Sequence, residues 1–75
     1  MLFDKLKAKE PTIKELTALG LISPTWLRNI EVFELYRCEI SKGQGVYNAY
    51  MIVSMKIKPQ LSWQSVKKIV YELSK

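Results

Sequence analysis

Three prolines and three glycines divide this 75-residue chain, because each interrupts regular structure at a definite place. Lys58 precedes Pro59, and a residue before proline is pushed out of the helical region, so a helix arriving there must stop. Ser23-Pro24 is a start signal, with Ser as the cap and Pro at the first helical position, where its missing N–H costs nothing. Gly20 supplies the left-handed residue that closes a helix, and Ser41-Lys42-Gly43-Gln44-Gly45 reads as a turn. Between these breaks the apolar residues recur at three- and four-residue spacing, and no alternating strand pattern competes. The fold class that follows is all-α, a small bundle of four to five short helices. Residues 1–75 are expected to form a single helical domain, with N-terminal helices or an arm over 1–22 and a three-helix core over 24–74.

The segments differ in strength. Met1 to Lys9 places Leu2, Phe3 and Leu6 opposite Lys5, Lys7 and Lys9, as a short amphipathic helix or an arm. A membrane-surface helix needs a longer apolar face, and a minor-groove arm is diluted here by Asp4 and Glu10. Thr12 and Glu15 are spaced as a capping box ahead of Ile13, Leu16 and Leu19, with Leu21 and Ile22 turning into the core. The longest helix is expected from Pro24 to about Ile40, with Trp26, Leu27, Ile30, Phe33, Tyr36 or Arg37, and Ile40 inside. Its Glu31, Glu34 and Glu39 form a solvated face, with Arg28–Glu31 and Glu34–Arg37 at pairing distance. A fourth helix spans Val46 to about Ile57, with Val46, Ala49, Tyr50, Ile52 or Val53, and Ile57 available for burial.

Several function classes are excluded or disfavoured by composition. There is no histidine and a single cysteine, so neither an internal disulfide nor a Cys/His zinc site can form. Cys38 reads as a small packing residue, and a reducing cytoplasm is the expected compartment. No secretory leader is evident, and no window is long and apolar enough to span a membrane. No nucleophile lies beside a base, so no enzyme, cofactor or metal centre is expected. The glycine-rich turn lacks the preceding strand and the spacing of a phosphate loop, although a backbone N–H near Gly45 is placed to touch one phosphate.

The charge is uneven. Residues 1–40 carry six positive and six negative side chains, whereas residues 41–75 carry six lysines against Glu72 alone. The whole net charge of +5 thus belongs to the C-terminal half. Such a one-sided field concentrates polyanions. Within it lies Ser62-Trp63-Gln64-Ser65-Val66-Lys67-Lys68-Ile69-Val70-Tyr71-Glu72-Leu73, in which Val66, Ile69, Val70 and Leu73 make one apolar stripe behind the capping Ser62. The off-stripe Ser62, Gln64, Ser65, Lys67 and Lys68 supply hydroxyl, amide and ammonium groups on the first turns of a helix. Those groups suit base edges and phosphates in a major groove. Trp63 has two readings, a seal at the core edge, which is favoured, or a DNA contact at the front of the helix.

Residues 31–73 resemble a helix-turn-helix DNA-binding domain of the three-helix type, of the kind found in short phage and mobile-element proteins. Its helices would be Glu31–Arg37, Tyr47–Val53 and Ser62–Val70, and the run Leu61-Ser62-x-x-Ser65-Val66-x-x-Ile69 looks like the family's turn and recognition helix. The chain departs from the family in its turn, where Lys56-Ile57-Lys58-Pro59-Gln60 stands in place of a shorter, glycine-containing connection. The resemblance implies that Ser62, Gln64, Ser65 and Lys68 face the groove, while Lys56, Lys58, Lys67 and Lys42 hold phosphates. The implied partner is double-stranded DNA, with a homodimer or larger protein partner to extend the site and no membrane. The implied role is a regulator or accessory factor of a phage or mobile element. The rival expectation is a helical protein-interaction module, such as a small virion component or host-protein inhibitor, whose basic half meets an acidic protein.

Overall fold

The computed structural model describes residues 1–75 as five helices and no strand. They are α1 (Leu2–Ala8), α2 (Glu10–Ala18), α3 (Thr25–Ser41), α4 (Val46–Lys56) and α5 (Trp63–Leu73). The breaks fall where the prolines and glycines place them. Gly20 and Gly43 take φ of 75° and 90°, the left-handed conformation that a side chain would resist. Ser23 Oγ accepts from the Thr25 N–H at 3.2 Å just ahead of α3, but the cap position itself falls on Pro24, one residue later than the sequence suggests, and carries no side-chain cap bond.

α2 begins earlier than its capping-box spacing suggests. Its first residue is Glu10, with Pro11 in the opening turn, so Thr12 and Glu15 lie inside the helix. Pro11 lacks only an N–H that the first turn leaves unpaired anyway, so α2 starts directly out of α1 without a side-chain cap.

α3, α4 and α5 all pack against one another, and α1 and α2 lie on α3. The shared core draws on every helix: Phe3, Ile13, Ile30, Val32, Phe33, Tyr50, Val53, Ile57, Val66, Ile69, Val70 and Leu73. Phe3 stacks on Phe33 with ring centroids 4.6 Å apart, and this contact fastens α1 to α3. Residues 1–22 are therefore part of the packed structure. α3 is packed by all four other helices. That explains why Val32, outside the single expected stripe, is fully buried.

The same arrangement corrects several expectations at the helix ends. Trp26 and Ile40, near the two ends of α3, are 41% and 37% exposed, and Leu19 and Leu21 stand well out from the surface. Val46 is half-exposed at the start of α4, and Cys38 lies on the open side of α3. The pairs expected along α3 give way to contacts from α1. Glu34 takes Lys7 at 3.3 Å, and the Arg37 guanidinium lies over Phe3 and Phe33, 5.6 and 5.9 Å from the ring centres. No helix is long and apolar enough to cross a membrane.

Candidate nucleic-acid interface

α5 is the most amphipathic of the helices. Val66, Ile69, Val70 and Leu73 are buried, which turns Gln64, Lys68 and Tyr71 to the outside at helical spacing. The helix opens on Ser62, whose Oγ accepts from the Ser65 N–H at 3.2 Å. The hydroxyls of Ser62 and Ser65 lie 3.1 Å apart, so each already has a partner. Ser65 is half-buried on the flank of the helix, and Gln64 is the exposed polar residue of the first turn. Trp63 packs at the rim of the core, its ring edge-on to Tyr47 at 5.8 Å, as its sequence position implies.

The five lysines singled out from the sequence fall into two classes. Lys42 and Lys56 are both bound to Oε2 of Glu39, each at 3.2 Å. Glu39 is only 4% exposed, which overturns its expected place on a solvated face. A carboxylate this enclosed needs compensating partners, and two ammonium groups supply them. Their donated hydrogen bonds, Lys56's foremost, hold the Glu39 carboxyl below its ordinary 4.5, against the opposing pull of burial. Glu39 raises Lys42 in return. Both lysines are thus committed to a carboxylate within the protein.

Lys58, Lys67 and Lys68 form no ion pair. Lys58 lines a shallow hollow at the start of α3 with Thr25, Arg28, Glu31 and Pro59. Lys68 borders another, between α5 and Asn29, beside Tyr71 and Lys75. The Lys67 ammonium lies near two rings, 6.0 Å from the centre of Tyr47 and 5.5 Å from that of Tyr71. The structure therefore brings Gln64, Lys67 and Lys68 together on α5, sets Lys58 apart near α3, and pairs Lys42 and Lys56, both still exposed, with Glu39.

Tyr47 and Tyr71 are not among the residues expected to contact DNA, yet they are 62% and 59% exposed and both lie near the central lysine. Their positions opposite the apolar stripes of α4 and α5 were the available signal. The neighbouring Tyr50 is buried, and that burial, with Tyr36 beside it, pushes its phenol up to about 12. Tyr50 is accordingly a neutral packing group, and the accessible phenols of this surface are Tyr47 and Tyr71.

α4 lies beside α5 and ends at Lys56, with six residues, 57–62, before α5 begins. Its outer side carries Tyr47, Met51 and Met55, all more than half exposed and without a charge among them. Compared with family models, curated proteins and solved structures, the chain matches none.

Proposed function

We propose that this protein binds double-stranded DNA through the outward face of α5, as a small regulator or accessory factor of a phage or mobile element. The observation that supports the reading best is the pair Lys67–Lys68. Lys68 is exposed and Lys67 half-buried on a capped, well-anchored helix, with no carboxylate bound to either ammonium. Gln64 one turn earlier offers an amide that can donate and accept at a base edge. In this reading Gln64 and Lys68 enter the groove, Lys67 and Lys58 hold phosphates, and Ser62 and Ser65 position the helix by capping it. Lys42 and Lys56 contribute only when Glu39 releases them.

The test is fluorescence anisotropy of a labelled random duplex at roughly 50 and 200 mM salt, with the Lys67→Glu/Lys68→Glu variant alongside. Binding that weakens steeply with salt and is lost in the variant is the expected result. Folded protein that ignores the duplex at the lower salt rejects the reading.

A second reading rests on a different observation, the uncharged stripe Tyr47-Met51-Met55 along α4. Exposed apolar side chains in a row are what a protein-interaction module presents. On that reading Met51→Lys abolishes association with a partner while Lys67→Glu leaves it intact.

A further inference from the structure

Tyr47 and Tyr71 come from different helices, 24 positions apart in sequence, yet both rings lie within cation–π reach of the one Lys67 ammonium. Both are more than half exposed. The nearest carboxylate on α5, Glu72, is bound to Lys75 at 3.3 Å and does not engage Lys67. The arrangement is fixed from beneath. Tyr47 is held edge-on by Tyr50 at 5.9 Å and by Trp63 at 5.8 Å, so its ring is braced in place.

A cation within reach of two exposed aromatic side chains matches the chemistry of a nucleotide. The ammonium takes the phosphate, and either ring offers a flat apolar surface for a base. Only an unpaired base can use such a ring, since the faces of paired bases are covered by their neighbours in the duplex stack. We infer that Tyr47, Lys67 and Tyr71 form a clamp for an unpaired nucleotide at the edge of the α5 surface. The preferred ligand is then DNA in which a duplex passes into a single strand. This deepens the duplex-binding reading and rests on it: the double-stranded part lies along Gln64 and Lys68, and the first unpaired nucleotides fall between the tyrosines.

The experiment compares a blunt duplex with the same duplex carrying a single-stranded thymidine overhang, by anisotropy at fixed salt. The protein, its Tyr47→Leu/Tyr71→Leu variant and the Tyr71→Leu single variant are measured on both. Stacking on an aromatic ring carries roughly tenfold in affinity per base. The overhang is expected to tighten binding by about that factor in the native protein. That advantage is expected to vanish in the double variant, with blunt-duplex affinity changed less than about twofold, because the rings do not touch paired bases. Circular dichroism verifies that the variants are folded, and the single variant, whose Tyr71 is not among the braced rings, still reports if the double one is not. Equal affinity for blunt and overhanging duplexes overturns the clamp and leaves duplex binding standing. An equal loss on both ligands assigns the tyrosines to the duplex itself and also overturns it. Failure to bind either DNA removes both proposals together.

Discussion

The two halves of this chain hold the same number of positive side chains and put them to different ends. In residues 1–40 the six cations are matched in number by six carboxylates, although Lys7 alone among them binds a carboxylate directly. Lys7 bridges Glu10 and Glu34, Arg37 covers two phenylalanine rings, and Asp4, Glu15 and Glu31 are interspersed among the rest. In residues 41–75 Lys58, Lys67 and Lys68 have no carboxylate bound. The lesson is that formal charge and available charge are different quantities. The C-terminal lysines number six, but Lys42 and Lys56 turn to Glu39 and Lys75 to Glu72. What remains free is concentrated on α5 and the turn before it.

The packing divides in a parallel way. α3, α4 and α5 form a closed three-way contact, whereas α1 contributes one buried side chain, Phe3, stacked on Phe33. The sharpest way to separate the two is a core truncation in each. Leu73→Ala, at a fully buried position on α5, is expected to cost about 3 kcal/mol, a large share of the stability of a domain this size. It should lower the urea midpoint for the whole molecule. Phe3→Ala should instead release α1, seen as lost hydrogen-exchange protection over residues 2–8 with α5 still protected. Cooperative loss of both regions would erase the distinction.

Charge reversal tests the electrostatic half of the comparison. Lys67→Glu/Lys68→Glu is expected to weaken duplex binding by roughly tenfold or more at low salt, whereas Lys5→Glu/Lys9→Glu should change it less than about twofold. Equal losses from both pairs would mean that the protein responds to overall charge and not to the α5 surface.

A smaller effect is expected at Glu39. Its carboxyl is held below the ordinary 4.5, so the ion pairs stabilise the fold fully above about pH 4.5 and lose their contribution as pH falls through the lower folded value. Glu39→Gln should therefore be less stable than the native protein near neutrality, and the difference should close in acid. Thermal denaturation at several pH values measures it. The least effect is expected from Lys7→Met, which removes an exposed pair and should leave the denaturation midpoint nearly unchanged.

Much of the fold was legible because its signals are local. Ser23-Pro24, Gly20, Pro59 and Ser62 each act on backbone within a few residues, and the apolar stripe of α5 repeats within four turns. What escaped the sequence depends on distant partners. Glu39 looks like any exposed glutamate until Lys56, 17 residues away, closes over it. Lys7 meets Glu34 across 27 residues, and Val32 is buried only because α3 is packed by all four other helices. The candidate site followed the same rule. Lys67 and Lys68 could be chosen from their helix alone, but the rings around Lys67 required knowing that α4 lies beside α5.

Glu39 has a further consequence for any polyanion this protein meets. Salt weakens such binding because small cations are released from the nucleic acid, about 0.9 per phosphate neutralised. A lysine that already carries its counterion inside the protein releases none on docking unless it first lets go of that partner. Glu39 is such a resident counterion, shared by two lysines. The slope of log K against log salt should therefore reflect the two free lysines assigned to phosphates, Lys58 and Lys67, about −1.8, and not the four expected from the sequence, about −3.6.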